Sequence, residues 1–453
     1  MMVLPSLNYN FFESKQGAHK ELPAKVLQFG TGVLLRGLPD YFIYKANQQG
    51  VFNGKIVVVK STDSAGLNEF DQQNNLFTQC IRGVYSGDHI DTSLINNSIK
   101  SVLSAKQSWQ DIIALAQSPQ LEIIISNTTE AGLVLDTNDL ITKEPPHSFP
   151  GKLLALLVER WKYFEGDTSK GWVILPTELI PDNGKALKEI LLTLSKINQL
   201  SDAFIAWLIT ANDFCNTLVD RIVPGKPDEK ELKELELKLG YSDSLLISSE
   251  PFALWAIETN KAATKEKLSF ALIDDSVVIA PSILKYRELK LRLLNGTHTF
   301  CCAVALLAGF ETVIQAMRDA DFKKFIQKLL NQELIPSVVS DTITHEEATQ
   351  FANNVLERFA NPYILHKWSS ISMNFEEKMK MRNAYLIDQY AKINSAPSTY
   401  MALGFAAFCC YMQIKENKHI HFSEYFTDTL FKTQVEKGIA AITEKGMKSC
   451  LAI

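Results

Sequence analysis

The residues best suited to chemistry lie in one short stretch, Lys290 to His298, which reads K-L-R-L-L-N-G-T-H. A lysine can transfer a proton once burial or a neighbouring cation lowers its pKa, an asparagine amide can hold a developing alkoxide, and a histidine can orient a hydroxyl. On an α-helix, Lys290, His298 and Asn295 would fall at about 0°, 80° and 140° around the axis. Such a set suits ketone reduction or alcohol oxidation.

Two other interpretations of this stretch compete with a catalytic one. In the first, it is an ordinary amphipathic helix whose polar residues face solvent and whose core positions are Leu289, Leu291, Leu293 and Leu294. In the second, Tyr286 and Lys290 form Y-x-x-x-K, the pair found in short-chain dehydrogenases. That family implies a single shorter domain and a differently spaced glycine loop, and neither matches this chain.

A glycine turn near the N-terminus predicts a cofactor site. Residues 25–29 read as a buried strand that runs into the turn 30–32, and residues 33–49 have the apolar spacing of a helix. A second strand follows at 55–59, so the segment has the order and length of a dinucleotide-binding crossover, although Leu35 replaces the third glycine of G-x-G-x-x-G. Glycines let the backbone approach a pyrophosphate. We expect the cofactor to be bound here by Gly30, Thr31, Gly32 and Val33.

The end of the second strand bears on which nicotinamide cofactor is bound. The chain there reads Lys60-Ser61-Thr62-Asp63, where an acid is expected to take the ribose hydroxyls. Asp63 is the nearest carboxylate, whereas Lys60 stands where it could bind the 2′-phosphate of NADP. The prediction is NAD, with NADP left open, and a solvated loop is the alternative for both residues.

Polar residues follow a third strand of the same predicted sheet. Residues 121–125 read as a strand that ends in S-N-T-T-E-A-G, residues 126–132. Ligands of open parallel sheets bind outside the carboxyl ends of the strands. We therefore expect Ser126 and Thr128 to face the nicotinamide half of the cofactor.

Composition and charge exclude several classes of protein. The chain has 453 residues, of which 46% are hydrophobic, so it can bury a sizeable core and is expected to form two domains. The net charge of −5 gives no indication of a nucleic-acid or membrane partner. The sequence contains no run of about 18 apolar residues, and its first residues lack the regions of a secretory signal. We expect a cytoplasmic monomer or small homo-oligomer whose partner is a small molecule.

Neither the cysteines nor the histidines predict a metal site. None of the seven cysteines forms C-x-x-C, and the doublets Cys301-Cys302 and Cys409-Cys410 read as small buried side chains in apolar helices. The eight histidines lack ligand spacing such as H-E-x-x-H. The chemistry is expected to need no metal.

The order of the elements predicts an α/β protein with two domains. Strands and helices alternate in the first half, whereas long helical patterns with few β-branched runs begin near Ala280. We expect residues 1–279 to form a Rossmann-type NAD-binding domain. Residues 280–453 are expected to form a mainly α-helical domain for substrate binding and catalysis.

Several blocks of the chain together resemble the mannitol dehydrogenase family, the polyol-specific long-chain dehydrogenases. Residues 290–298 match its K-x-x-x-x-N-x-x-H motif. Six further blocks are similar and occur in the same order: G-T-G-V-L-L-R-G (30–37), S-N-T-T-E-A-G (126–132), S-F-P-G-K-L (148–153), N-T-L-V-D-R-I-V-P (216–224), E-P-F-A-L-W (250–255) and R-F-A-N-P (358–362). The resemblance spans nearly the whole chain.

The resemblance implies a role for each residue of the motif. Lys290 would be the general acid or base, Asn295 would hold the substrate oxygen, and His298 would hydrogen-bond the substrate. Members that act on mannitol are expected to carry C-D-N where this chain has Thr177-Glu178-Leu179. This departure removes one oxygen-holding asparagine and leaves Glu178 or Asn183 as the expected substrate contact.

Within the family, the details resemble the branch that acts on hexuronates. This implies NAD-dependent, reversible reduction of D-tagaturonate to D-altronate; the alternatives are fructuronate reduction, a mannitol-type polyol 2-dehydrogenase, and a dinucleotide-binding protein without turnover. A uronate carries a carboxylate, which arginine and lysine bind well. The candidates for that contact are Arg287, Arg292, Arg358, Lys378 and Arg382, and of these we expect Arg358 and Lys378 to bind the substrate. His366 reads as a structural histidine.

Overall fold

The computed structural model describes residues 4–16, 21–61, 67–128 and 132–452. They group into two compact units, one drawn from residues 1–82 and 91–283 and the other from residues 83–90 and 284–453. Asp63, the expected ribose contact, lies outside the described residues.

The first unit alternates strands with helices. Its strands are β1 (Ala24–Phe29), β2 (Lys55–Lys60), β3 (Phe77–Tyr85), β4 (Asp88–Asn96), β5 (Ile99–Ser104), β6 (Ile123–Ser126), β7 (Val173–Pro176), β8 (Asp213–Phe214), β9 (Thr217–Asp220), β10 (Ile247–Ser249), β11 (Leu254–Glu258) and β12 (Val277–Ala280). Its helices are α1 (Tyr9–Gln16), α2 (Val33–Gly37), α3 (Pro39–Gln48), α4 (Leu67–Gln72), α5 (Trp109–Leu115), α6 (Phe149–Tyr163), α7 (Asn183–Ile197), α8 (Asp202–Ala211), α9 (Glu229–Leu239) and α10 (Ala262–Lys267). The tip of the β3–β4 hairpin, residues 83–90, groups with the second unit.

Six of these strands form one parallel sheet in the order β5-β2-β1-β6-β7-β8. Gln28 in β1 pairs with Val58 of β2 on one side and with Ile125 of β6 on the other. This is the strand order of a doubly wound Rossmann sheet, so the predicted fold class is confirmed. The carboxyl ends of β1 and β6 flank the switch point at which such sheets bind their ligands.

Helices cover both faces of this sheet, which explains why its strands read as continuous apolar runs. Val26 of β1 lies in a core cluster with Phe42 of α3, whereas its neighbour Leu27 lies in a second cluster with Leu153 of α6. Successive strand residues point to opposite faces, so each face has its own core.

The helix predicted over residues 33–49 is interrupted, and that prediction is wrong. α2 ends at Gly37 and α3 begins at Pro39, while Leu38 between them has φ −128° and ψ −77°. Proline has no N–H to donate and disfavours helical geometry in the residue before it. Pro39 therefore starts a new helix.

The second unit is helical, as expected from the sequence. Its helices are α11 (Leu284–Glu288), α12 (Thr297–Leu307), α13 (Val313–Met317), α14 (Ala320–Lys328), α15 (Ile335–Val338), α16 (His345–Phe359), α17 (Trp368–Ile371), α18 (Phe375–Ile393), α19 (Tyr400–Glu416), α20 (Thr429–Lys445) and α21 (Met447–Leu451). Two π-helices occur as well, Leu289–Gly296 before α12 and Leu329–Leu334 before α15. α12 packs against α18 and α19. No helix within the described ranges is both long and apolar enough for a membrane span.

Polar caps explain where several of these helices begin. α16 starts with a capping box, in which Thr344 accepts a hydrogen bond from the Glu347 amide and the Glu347 side chain accepts one from Thr344. α19 is capped from outside, because the buried carboxylate of Glu333 accepts hydrogen bonds from the amides of Thr399, Tyr400 and Met401.

Candidate active site

The glycine turn after β1 has the shape that a dinucleotide requires. Gly30 has φ +125°, and a Cβ at this position would lie 3.0 Å from the backbone oxygen of Asn127. Around Gly32 the space within 4 Å of such a Cβ is open, and its φ of −62° is ordinary. Thr31 and Val33 beside them are half-buried. The turn thus presents bare backbone at the switch point, which suits a pyrophosphate.

A cavity of about 510 Å³ lies in the same unit. It is lined by Ser61, which follows β2, and by Thr128, which follows β6, and the apolar residues Val134, Leu135 and Phe149 contribute to its wall. Its volume falls within the range of small-molecule pockets, about 300–1,000 Å³. The glycine turn and two residues that line the cavity, Ser61 and Thr128, follow the carboxyl ends of β1, β2 and β6, where sheets of this strand order bind their ligands.

Glu178 holds the loop that borders this cavity. Its carboxylate accepts hydrogen bonds from the Ser126 hydroxyl (3.2 Å), the Thr128 amide (3.0 Å) and the Thr128 hydroxyl (3.0 Å). Glu178 itself is 2% exposed. Glu178 thereby fixes the conformation of the chain that follows β6. The Ser126 hydroxyl is used in this contact.

Asn183 is likewise engaged within the first unit. Its amide donates to the carbonyl oxygens of Glu178 (3.1 Å) and Thr217 (3.2 Å), and its oxygen accepts from the amides of Thr217 and Gly184, each at 2.9 Å. All its hydrogen-bonding groups are therefore in use. These bonds link the loop after β7 to the start of β9.

In the second unit, Lys290 and Asn295 belong to the π-helix Leu289–Gly296. Hydrogen bonds in a π-helix join residue i to residue i+5, so residues five apart come to lie on the same side. Lys290 and Asn295 are five apart and both are half-buried. Within the described part of the chain, the Asn295 side-chain amide has no hydrogen-bond partner of its own. The π-turn therefore aligns the two side chains more closely than the α-helical geometry assumed from the sequence.

His298 lies in the first turn of α12 and is 8% exposed. Its ring stacks on Phe359, with centroids 4.2 Å apart and planes at 15°, and meets the edges of His366 at 5.2 Å and Trp368 at 6.2 Å. Burial is the main cause that lowers the pKa of His298 well below 6.5, followed by the nearby charges. The imidazole is therefore neutral near pH 7 and can donate or accept a hydrogen bond.

The side chains around His298 form a group of cations, which we call the basic cluster: Arg358, Lys378 and Arg382. Together with His366, these three lower the pKa of His298. Arg358 is 5% exposed, and Lys378 Nζ donates to the Ile371 carbonyl at 3.0 Å. Arg382 Nη1 donates to the Thr299 hydroxyl at 3.2 Å, while its buried Nε has no hydrogen-bond partner among the described residues. Such a cluster is suited to bind an anion.

Another candidate for the carboxylate contact, Arg292, is already hydrogen-bonded within the second unit. Arg292 donates to Glu288 and to two backbone carbonyls of α18. Arg287 is half-buried and takes part in an interaction within the protein.

Two further side chains, His366 and Thr299, contact the candidate site residues, and the sequence analysis does not assign either of them to the site. His366 contacts His298 edge-on, and burial, Lys378 and Arg358 lower the pKa of His366 below 6.5. Thr299 donates to the Asn295 carbonyl at 2.8 Å and accepts from Arg382. The spacing of four between Asn295 and Thr299 is the signal that predicts such a contact on a helix.

Metal ligands do not gather at this site. Across the described ranges, no three His, Cys, Asp or Glu side chains are grouped so that they would hold a metal ion. His366 is the second imidazole beside His298, and the other side chains around His298 are cations and the rings of Phe359 and Trp368, which do not coordinate metals.

Comparison with known proteins identifies relatives over the whole chain. Residues 24–269 match the model of the mannitol dehydrogenase Rossmann domain, and residues 282–453 match that of the mannitol dehydrogenase C-terminal domain. The altronate oxidoreductase of Bacillus subtilis (strain 168) is 37% identical over 404 residues, which are 89% of this chain and 82% of the relative. The altronate oxidoreductase of Escherichia coli O1:K1 / APEC is 35% identical over 398 residues, 88% of this chain and 81% of the relative.

Two solved structures share the fold. A D-sorbitol dehydrogenase in substrate-free form aligns with a TM-score of 0.79 at 18% identity, covering 98% of this chain and 100% of the other. Mannitol 2-dehydrogenase of Pseudomonas fluorescens, solved as a ternary complex with NAD and D-mannitol, aligns with a TM-score of 0.71 at 19% identity, covering 99% of each chain.

Proposed function

The chain belongs to the mannitol dehydrogenase family, and we propose that it reduces the ketone of D-tagaturonate to the alcohol of D-altronate with NADH, and catalyses the reverse oxidation with NAD. That it is a nicotinamide-dependent oxidoreductase acting on CH–OH groups follows from the family and from relatives at 35–38% identity. The substrate, the direction and the catalytic residues are the parts that are proposed.

One observation carries the proposal for the substrate. The residues suited to ketone chemistry, Lys290 and Asn295, lie in the helix that continues into His298, and His298 is surrounded by the basic cluster. A neutral polyol has no charge for such a cluster to neutralise, whereas a keto-uronate has a carboxylate. Lys378 and Arg382, both half-buried, bond to a backbone carbonyl and to a hydroxyl, so the carboxylate of a substrate would complement their charge.

NADH held at the turn Gly30–Gly32 would supply the hydride that forms the new C–H bond at the ketone carbon. The electrons of the carbonyl double bond then pass to its oxygen, and the Lys290 ammonium gives that oxygen a proton. The amide of Asn295 donates a hydrogen bond to the same oxygen and stabilises its negative charge before protonation. In the oxidation direction, neutral Lys290 takes the hydroxyl proton.

His298 orients the substrate in this scheme. Because its imidazole is neutral near pH 7, it can donate a hydrogen bond to one hydroxyl without adding a further charge. Phe359 fixes the ring plane by stacking.

The carboxylate contact is assigned to the basic cluster. Lys378 and Arg382 are four apart on α18 and therefore lie on one face of that helix, and Arg358 comes from the end of α16. An arginine fork or a lysine ammonium bound to a carboxylate gives a strong, charge-assisted hydrogen bond. This contact would distinguish a uronate from an uncharged ketose.

NAD is proposed as the cofactor in preference to NADP. Lys60 is the residue that could bind the 2′-phosphate of NADP. It lies in β2, is 6% exposed and already has an interaction within the protein. A buried, engaged lysine is a poor receptor for an added phosphate. Cytoplasmic location, a monomeric or small homo-oligomeric state, and independence from metal stay predictions.

The test is oxidation of NADH and of NADPH by the purified protein, followed by the absorbance of the reduced nicotinamide. The substrates are D-tagaturonate, D-fructuronate and D-fructose. Turnover with NADH that is fastest on D-tagaturonate supports the proposal, and a preference for D-fructuronate contradicts the choice between the two uronates. A preference for fructose contradicts the uronate assignment, and cofactor binding without turnover on any of the three contradicts the catalytic one.

A further inference from the structure

The π-helix that carries Lys290 and Asn295 is held from outside by α18. A π-turn is a rare variant of the helix that is frequent at functional sites, and an uncommon backbone persists only when its surroundings enforce it. In this structure, two buried side chains make contacts that do so, Arg292 from within the π-helix and Asn383 from α18. Both lie in the second unit.

Arg292 ties the middle of the π-helix to α18. Its Nη1 donates to the carbonyl oxygens of Met381 (2.8 Å) and Arg382 (2.9 Å), and its Nε donates to Glu288 at 2.9 Å. The guanidinium also lies over the ring of Tyr385, 4.5 Å from the centroid. Arg292 is 9% exposed, so these bonds are made largely out of water.

Asn383 ties the end of the π-helix to the same part of α18. Its amide donates to the carbonyl oxygen of Gly296 at 3.1 Å. A Cβ at Gly296 would come within 3.2 Å of Leu386, so the two helices approach closely at this point. Asn383 is 0% exposed, and its own Oδ1 has no hydrogen-bond partner among the described residues.

The unpartnered oxygen of Asn383 helps to explain why position 383 is occupied by an asparagine. A buried polar atom without a partner destabilises the folded state. An apolar residue of similar size would avoid that cost, but it would lose the bond to Gly296. The asparagine is thus explained by what it does to the π-helix and not by the stability of the core.

We propose that Arg292 and Asn383 are positioning residues of the reaction. They hold residues 289–296 in the π-register that places Lys290 and Asn295 on one face. Arg382 adds to this hold, because its bond to Thr299 fixes the hydroxyl that donates to the Asn295 carbonyl. This inference rests on the proposed function of Lys290 and Asn295.

The experiment compares Asn383→Leu and Arg292→Lys with wild type in kcat, KM for NADH, the solvent isotope effect on kcat, and thermal stability. Misplacement by a fraction of an ångström to 1 Å predicts a fall in kcat of about 10- to 100-fold, with KM for NADH unchanged. The solvent isotope effect should rise, because transfer of the proton becomes slower. Asn383→Leu is expected to keep its melting temperature, since it removes the unpartnered Oδ1 together with the bond.

Matched controls come from the same kinds of contact elsewhere. Asn394, at the end of α18, donates its amide to the Tyr390 carbonyl at 3.3 Å, and Arg160 in the first unit donates to the carbonyls of Ala116, Ser118 and Leu121. Asn394→Leu and Arg160→Lys should leave kcat and the isotope effect of the folded protein at wild-type values.

Lys290→Ala, measured in parallel, separates this inference from the proposed function. If Lys290→Ala is inactive while both positioning variants keep wild-type kcat and isotope effect, the positioning role is overturned and the proposed function stands. If Lys290→Ala is active, the proposed function fails. Crystal structures of wild type and Asn383→Leu test the structural claim directly: relaxation of residues 289–296 to an α-helix supports it, and an unchanged π-helix overturns it.

Discussion

The ring of His298 lies almost parallel to that of Phe359, with centroids 4.2 Å apart and planes at 15°. The histidine comes from the first turn of α12 and the phenylalanine from the last residue of α16. Stacking and burial keep this imidazole away from water and close to three cations, so the protonated form is disfavoured. The relationship has a consequence for stability that can be measured.

The contribution of His298 to the free energy of unfolding should fall as the pH is lowered through the usual pKa of histidine. The pKa of His298 is well below 6.5 in the folded protein, because of burial first and of His366 and the basic cluster next. Below about pH 6.5 the unfolded chain binds a proton that the folded chain does not, so this contribution rises with pH in this window by up to about 1.4 kcal/mol per pH unit. Burial raises the pKa of Asp40 to about 8, which adds a slope of the opposite sign in the same window. The His298 contribution is therefore the difference in slope between wild type and a His298 variant in urea denaturation from about pH 5 to pH 8.

The matched variants are His298→Asn and His147→Asn. His147 has an 83% exposed side chain, so its replacement should leave the slope as in wild type. His298→Asn should lower it. An equally steep slope in His298→Asn would contradict the assignment, and His366, whose pKa is also lowered, would then be the group to replace.

Removing one cation of the basic cluster should weaken uronate binding selectively. In Lys378→Met the apolar stem is kept and the charge is lost, so KM for tagaturonate should rise by about 10- to 100-fold, the effect of a charge-assisted hydrogen bond. KM for an uncharged ketose should not change. Lys380→Met is the control on the same helix, since Lys380 pairs with Glu376 and Glu424 instead. Equal effects of Lys378→Met on charged and uncharged substrates would refute a carboxylate contact.

The two glycines of the turn after β1 should respond differently to alanine. Gly30→Ala would put a Cβ 3.0 Å from the Asn127 oxygen at φ +125°, which should cost about 1–3 kcal/mol of folding stability. Gly32→Ala meets open space at an ordinary φ, so its stability should be within about 0.5 kcal/mol of wild type while its affinity for NADH falls. Denaturation and NADH titration of both variants check this. Undiminished NADH affinity in Gly32→Ala would argue against a pyrophosphate at this turn.

Replacing Asn295 should affect catalysis far more than binding. Asn295→Ala removes the amide that is proposed to hold the substrate oxygen, and loss of one such donor lowers kcat by about 100- to 1,000-fold. Steady-state kinetics with tagaturonate and NADH give the number. A change confined to KM, with kcat preserved, would mean that Asn295 contributes to binding alone.

Much of the first unit could be predicted from the sequence because its signals are local. The strand at residues 25–29 was found within one residue of β1, and the glycine turn after it has the conformation that glycine alone adopts readily. The single helix expected over residues 33–49 fails at Leu38, although Pro39 was there to signal the break. The strand order itself follows from the fold class.

The candidate site in the second unit depends on contacts between residues that are far apart in the sequence. The residues Lys290, Asn295 and His298 could be picked from their types and spacing, but a π-turn follows no simple sequence pattern. It depends on partners about 90 residues away along the chain, such as the carbonyls that Arg292 reaches at 89 and 90 residues' separation. The basic cluster likewise joins α16 and α18, and only tertiary packing brings those side chains to His298. The departure from C-D-N at residues 177–179 predicts Glu178 or Asn183 as a substrate contact. The fold shows instead that both side chains form hydrogen bonds within the first unit, which no local sequence pattern indicates.

The central claim is that Lys290 supplies the proton, and turnover of Lys290→Ala with tagaturonate and NADH tests it most directly. Loss of a general acid predicts a fall in kcat of about 100- to 10,000-fold with NADH affinity unchanged, and added primary amine should restore part of the rate. Lys285→Ala is the control, because Lys285 pairs with Glu347 and has no part in the proposed chemistry. A Lys290→Ala enzyme that turns over within tenfold of wild type would contradict the account.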